Sequence, residues 1–285
     1  MPTRPIGVSV FAEEEGSRFP LACLGSRLAS GRLDWASARE LRDREGVAFG
    51  DVVEGGTSDL LRDVDVYVEL HVEQGRDLVD RGAAVGVASA IWPHGRYRFD
   101  MTGAADHAGT TRMEDRRDPM LTYAMTVLAA NKQARVSGQR ATFGRVDVDP
   151  GSTNGIPSTV TAWMDARASD EPALEALVGD VTRLATERAQ RDGTMVAVIA
   201  ESTTPEVRFD AALARRLAGA DRPVIPTAAG HDAGILQTAG IPTAMLFVRN
   251  PTGVSHSPEE HAETADCLAG VEALADVLAD LAGGS

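Results

Sequence analysis

The stretch Thr159–Gly193 reads TVTAWMDARASDEPALEALVGDVTRLATERAQRDG. Its first nine residues alternate, with Val160, Ala162, Met164 and Ala166 on one side. That period of two is the pattern of a strand with one buried face. Asp170 then stands as an N-cap before Glu171-Pro172. Proline suits a first helical turn, where its missing N–H has no partner to lose. Leu174, Leu177, Val178, Val181 and Leu184 recur at helical spacing and predict a buried stripe. Gly193 closes the helix, because glycine enters the left-handed cap conformation without steric cost.

Working outward, the same two patterns repeat. Gly95 to Thr102 alternates as a strand, and Asp118-Pro119 opens a helix carrying Leu121, Met125, Leu128 and Ala129. Ala141 to Val148 and Met195 to Ala200 read as further strands. The order is β-α-β-β-α-β, a ferredoxin-like α+β pattern, placed at 93–204 with Pro93 at its boundary. Residues 1–92 and 205–285 flank it. They carry apolar, strand-like runs at Pro5–Phe11, Val64–Leu70 and Thr243–Val248. A closing helix is expected over Ala265–Leu281, burying Leu268, Val271, Leu274, Leu278 and Leu281. The fold class is α/β, one α/β domain split by an inserted α+β domain.

Composition narrows the function. The 285 residues are 43% hydrophobic and 25% charged, ordinary for a globular protein with a sizeable core. A net charge of -14 and a pI near 4.9 disfavour nucleic acid and anionic membrane as partners. No apolar run reaches the length of a membrane span, and the N-terminus does not read as a signal peptide. Cys23 and Cys267 lie far apart without metal-type spacing, which predicts a reduced, cytoplasmic protein.

Acids and histidines gather after the strand-like runs. Glu13-Glu14-Glu15-Gly16 follows the first, and carboxylates at strand ends sit where α/β enzymes place their sites. Two adjacent acids can divide the work, one ligating a metal and one taking a proton from metal-bound water. A solvated acidic loop is the plain alternative. His71, in Leu70-His71-Val72-Glu73-Gln74-Gly75, taken alone reads more often as a hydrogen-bonded structural residue than as a ligand. His256 lies in a Ser/Pro loop, while His107 and His231 have small neighbours that let a ligand approach the backbone. Glu and His donors without cysteine suggest Zn or Mn in a hydrolase.

Five motifs in fixed order carry a family resemblance: Phe11-Ala-Glu-Glu-Glu-Gly-Ser-Arg-Phe19, Leu70-His-Val-Glu-Gln-Gly75, Asp106-His-Ala-Gly-Thr-Thr111, Gly230-His-Asp-Ala233 and Val254-Ser-His-Ser-Pro258. The chain resembles the carbamoylase branch of the dinuclear-zinc aminopeptidase/deacylase superfamily. That branch holds allantoate amidohydrolases, N-carbamoyl-L-amino-acid hydrolases and β-ureidopropionases. The resemblance implies an aminopeptidase-like catalytic α/β domain with an inserted dimerisation domain, a homodimer, and two divalent ions, Zn or Mn. It implies Glu15, His71 and His256 as metal ligands and Glu14 as general base, with Gln74 beside the site. His107 is implied to reach the partner subunit's site and stabilise the oxyanion. Asn154 and Arg167 are implied to hold the substrate carboxylate as a pair, and His231 to line the pocket. The expected reaction is cleavage of a ureido C–N bond in a small carboxylate. Gly16-Ser-Arg-Phe-Pro20 with Gly25-Ser26 is more similar to allantoate amidohydrolases than to carbamoylases. A peptidase reading is weaker, because His71 stands where those relatives carry an acid.

One departure matters. The family pattern places Gly-Ser-His-x-Asp and Gly-Gly-x-x-Asp-Gly stretches upstream of the acidic loop, and this sequence carries neither. Ligand counting then leaves Glu15 and His256 for one metal and His71 alone for the other, so the dinuclear site is not expected to hold. A start codon placed too far downstream is one expectation. A truncated, non-catalytic, dimer-forming homologue is the other. Either way the catalytic α/β domain is expected to be incomplete, with Pro5–Phe11 left as an exposed apolar edge.

Overall fold

A computed structural model describes residues 3–56 and 58–283. The chain enters through α1 (Leu24–Ala29), α2 (Trp35–Ala38), α3 (Phe49–Val52), β1 (Tyr67–Val72), α4 (Asp77–Arg81) and β2 (Val85–Ile91). It continues through β3 (His94–Thr102), β4 (Asp106–His107), α5 (Pro119–Ser137), β5 (Arg140–Asp149), β6 (Gly155–Ile156), β7 (Thr159–Arg167), α6 (Glu171–Asp192) and β8 (Met195–Thr204). It ends with β9 (Val207–Arg208), α7 (Ala211–Ala218), β10 (Val224–Thr227), α8 (Asp232–Thr238), β11 (Thr243–Val248) and α9 (Thr264–Ala282). These elements form two units, Met1–Ile91 with Val207–Ser285, and Trp92–Glu206.

In the first unit, β11 is buried throughout and apolar after Thr243, as suits a strand covered on both faces. Ala244 and Leu246 pack with Val87, Leu213, Leu217, Ala273 and Val277. Met245 and Phe247 point the other way, to Leu78, Ile225 and Ala233. Among the described residues the sheet order is β1-β11-β2-β10, with β9 also on β2. β1 runs parallel to β11, so His71 and Val72 lie beside Phe247 and Val248 at one end of both strands. That carboxyl end is where an open α/β sheet offers its crevice.

Two expectations fail here. Pro5–Phe11 forms no strand. It passes the outer edge of β1, with Phe11 6.3 Å from the Tyr67 ring, while Val8 and Val10 are 91% and 94% exposed. An apolar run needs a ladder partner to become a strand, and this one has none among the described residues. The closing helix forms and packs Leu274 and Leu281 against the core as expected, but its fully buried positions include Gly270, Ala273 and Val277, and Leu268 and Val271 are exposed. A Cβ at Gly270 would meet Val248 Cγ2 at 2.4 Å, so the helix seats its small-residue side on the sheet.

The second unit is an antiparallel sheet of order β5-β7-β3-β8. β7 buries every second residue, as its alternation predicts. Phe99, Met101, Val160 and Met164 pack against Leu174, Leu177, Val181 and Ala185 of α6 and against Ala130 and Ala134 of α5. Asp170 accepts from the Ala173 N–H and Asp118 from the Met120 N–H, so both helices begin at side-chain caps. α5 faces inward with Thr122, Thr126, Ala130 and Ala134, leaving Leu121, Met125 and Leu128 exposed. No helix among the described residues is long and apolar enough to cross a membrane.

Candidate active site

The acidic loop is built so that its three glutamates diverge. Glu13 lies at φ 59 and Gly16 at φ 64, both left-handed, which makes a tight turn. A Cβ at Gly16 would approach the Ala22 nitrogen at 2.9 Å, so the position demands glycine. The Glu13 carboxylate accepts from the Arg18 and Phe19 N–H groups, each at 3.0 Å, and is used up in holding the loop. The Glu14 carbonyl accepts from the Cys23 N–H at 2.8 Å. The Glu14 and Glu15 side chains are left to face two different histidine groups.

Glu14 joins His71 and His231. Each of the three offers a ligand atom, and these atoms lie within 4.8 Å of one another. His71 Nδ1 is 2.8 Å from the Val72 carbonyl oxygen. A carbonyl only accepts, so Nδ1 carries the proton and Nε2 keeps a free lone pair. His231 precedes the first turn of α8 and is 1% exposed, its ring 4.5 Å from that of His71. Neither of its ring nitrogens has a hydrogen-bond partner among the described residues. Glu14 Oε1 is the nearest acid, 3.5 Å from Nδ1, with Glu69 Oε1 at 3.9 Å. Nδ1 thus has only two carboxylates beyond hydrogen-bond length and Nε2 has none, a costly arrangement for a buried imidazole that calls for a further partner. Together with one carboxylate and a tautomer-fixed imidazole, it fits a divalent cation. His71 is therefore not left alone, as ligand counting had it; Glu14 and His231 stand beside it.

Glu15 joins His256, with Oε2 3.0 Å from Nε2. Gln74 Nε2 donates to Glu15 Oε1 at 3.3 Å and to Ser255 Oγ at 3.0 Å. The His256 loop is set by the buried Asn250, which accepts from the Thr252 and Gly253 N–H groups and donates to the Val254 carbonyl. Glu260 accepts the His256 N–H at 3.0 Å. His256 lies at φ 57, a strained conformation for a non-glycine residue.

Charge in the first group is unevenly distributed. Burial pushes the Glu14 carboxyl up, but His231, His71 and His256 outweigh it and hold it below the usual carboxylate range. Glu69 goes the other way: burial raises it to about 7, with Asp232 and Glu14 adding to the rise against the opposing Ala233 N–H and His71. Burial likewise raises Asp232, whose carboxylate accepts from Ser26 Oγ. Sequence reading passed over Glu69, although it shares a face of β1 with His71 two residues on. That spacing was the available signal.

His107, Asn154 and Arg167 belong to the second unit. β4 pairs with β6, placing His107 opposite Gly155, and the Ala108 N–H donates to the Asn154 carbonyl at 2.9 Å. His107 Nδ1 accepts from the Gly109 and Thr110 N–H groups at 3.0 and 3.2 Å. Its Nε2 therefore carries the ring proton, on an exposed side chain. Arg167 ends β7, bonded to Asp165 at 2.8 Å and lying across from Arg140 and His94. Thr159 to Arg167 is eight steps of strand, about 26 Å. One chain thus does not bring Asn154 and Arg167 together, and they form no intramolecular carboxylate clamp.

Comparison with known proteins agrees with this architecture. An N-carbamoyl-L-amino acid amidohydrolase of Geobacillus stearothermophilus is 35% identical over 98% of this chain and 72% of its own length. An allantoate amidohydrolase of Escherichia coli is 31% identical over 99% of this chain and 72% of its own. A crystal structure of a hydantoinase/carbamoylase family amidase from Burkholderia multivorans superposes with a TM-score of 0.83, at 29% identity, covering 96% of this chain and 70% of that one. Peptidase family M20/M25/M40, a metal-dependent hydrolase family, matches residues 1–280, and the chain belongs to it.

Proposed function

We propose that the protein hydrolyses the ureido C–N bond of a small carboxylate, with allantoate the first substrate to test and N-carbamoyl-L-amino acids or N-carbamoyl-β-alanine the alternatives. The observation that carries this is the meeting of Glu14, His71 and the buried His231, whose ring nitrogens have no hydrogen-bond partner among the described residues. Support for the ureido bond comes from the two relatives named above. Zn or Mn would be held at His71 in the first group and at Glu15 with His256 in the second, and supplies a water acidic enough to attack near neutral pH.

The chain's own residues do the rest. Glu14, held ionised by its histidine neighbours, takes the water's proton and returns it to the leaving nitrogen. Gln74 fixes Glu15 and His256 by bonding between them. His231 walls the pocket beside Glu14. His107 presents an outward Nε2–H suited to a developing oxyanion, contributed to the site of a second copy. Asn154 lies beside it in the same unit, and Arg167, at the far end of β7, offers a guanidinium suited to the substrate carboxylate.

A homodimer is supported by the α5 face, where Leu121, Met125 and Leu128 lie exposed at helical spacing. Sedimentation is expected to give twice the chain mass; a single-chain mass at micromolar concentration contradicts the dimer. The two cysteines, both free, suit a reducing cytoplasm. Ammonia release with added Mn or Zn tests the function. Turnover of allantoate or of an N-carbamoyl amino acid is expected. No ammonia from any ureido substrate, with the protein folded and dimeric, overturns it in favour of a non-catalytic dimer.

A further inference from the structure

We infer that Arg116 is a positioning residue for His107: it grips the Ala108–Gly109 peptide from one side, and so holds that peptide's N–H on the His107 ring from the other. The guanidinium donates through Nη2 to the Ala108 carbonyl at 2.7 Å and to the Thr111 carbonyl at 3.1 Å. Its Nε donates to the Thr111 carbonyl at 3.3 Å. The Ala108 C=O and the Gly109 N–H belong to one planar trans peptide and point in opposite directions. The Gly109 N–H is the group that donates to His107 Nδ1, at 3.0 Å, so the bond that fixes the carbonyl also aims the N–H. Because the donor to the carbonyl is a cation, it polarises the peptide and strengthens the Gly109 N–H as a donor in turn.

The rest of the loop gives this grip its leverage. Arg116 follows the single helical turn Met113–Asp115, and its neighbour Arg117 accepts the Ala104 N–H through its carbonyl at 2.9 Å. That bond closes the neck of the loop. A Cβ at Gly103 would collide with the Arg117 carbonyl oxygen, so the neck closes only over glycine. The arginine arm is thus mounted on a fixed base. The Ala108 N–H is held by the Asn154 carbonyl, and the Thr111 N–H and hydroxyl close on the His107 carbonyl at 3.1 and 2.7 Å. None of those bonds reaches the Ala108 carbonyl, which is left to Arg116. A Cβ at Gly109 would lie 3.2 Å from His107 Cε1, so the ring rests closely on the turn that Arg116 holds. The planar fork of arginine spans both carbonyls, whereas a lysine ammonium is a single point of charge.

Only the kinetic arm of the test rests on the hydrolase reading. Arg116→Met keeps the stem and removes every donor. In that variant hydrogen exchange at the Gly109 amide is expected to speed up about tenfold, the loss of one charge-assisted bond. The His107 ring-nitrogen NMR signals are expected to show the Nε2–H tautomer in the parent and a mixture in the variant. In ureido hydrolysis kcat is expected to fall roughly ten- to a hundredfold with KM nearly unchanged. In a His107→Ala background the same change is expected to cost nothing further. Arg116→Lys recovers part of each effect, and it carries the same readings at smaller size should the Met variant fail to fold. Parental Gly109 exchange and tautomer in Arg116→Met, or an equal fall in kcat with and without His107, makes Arg116 a structural staple only and overturns the proposal. If the parent turns over no ureido compound, the hydrolase reading fails, and Gly109 exchange with the ring tautomer alone decides the role of Arg116.

Discussion

Glu14→Gln is expected to lower ureido hydrolysis by about a thousandfold, the middle of the range for removing a general base. That is about 4 kcal/mol of transition-state stabilisation. Glutamine fills the same space beside His71 and His231 but cannot accept the water's proton. Two roles are open to a carboxylate in that place, holding the cation or moving the proton, and they separate experimentally. If the proton is the task, the variant keeps its bound Zn and loses the rate. A variant that loses Zn and rate in proportion makes Glu14 a ligand, and one within tenfold of the parent rate removes it from the chemistry. Its carboxyl is held below the ordinary range, so Glu14 is ionised at neutral pH, as either role requires.

What could be read from the sequence follows the range of the forces involved. β7 and β11 begin and end where alternation and apolar runs place them, Thr159–Arg167 and Thr243–Val248, because period and flanking turns are local. The caps at Asp118 and Asp170 are local in the same sense. Helix faces were less legible. Counting large apolar residues points α5 at Leu121, Met125 and Leu128, yet it turns Thr122, Thr126, Ala130 and Ala134 inward; of the five residues it points α9 at, Leu274 and Leu281 reach the core while Leu268 and Val271 stay exposed beside a buried Gly270 and Ala273. Close approach decides the face, and only the folded neighbour, Val248 against Gly270 for example, reveals how close. Pro5–Phe11 has strand composition but lacks a ladder partner among the described residues, a fact outside its own sequence.

The site divides along similar lines. Motifs marked Glu14, Glu15, His71, Gln74, His231 and His256, and the structure gathers them into two groups. Motifs did not show that His71 shares its group with Glu14 and His231, because those residues come from a loop, a strand and a helix start far apart in the chain. Nor did they show Glu69, which on a half-buried strand reads as an ordinary polar-face residue. Asn154 and Arg167, linked by motif, stand at opposite ends of β7, where a strand's rise of about 3.3 Å per residue separates them.

The most direct test is ammonia release followed on one sample through chelation and the return of metal, with thermal unfolding measured alongside. Chelation is expected to abolish turnover and to lower the unfolding temperature. A cation at one hundred times its Kd contributes about 2.7 kcal/mol to the folded state, and that contribution is lost with the cation. Zn or Mn added back is expected to restore both readings. Turnover and unfolding temperature that stay unchanged through chelation would contradict the claim that Glu14, His71 and His231 form the heart of a metal-dependent hydrolase.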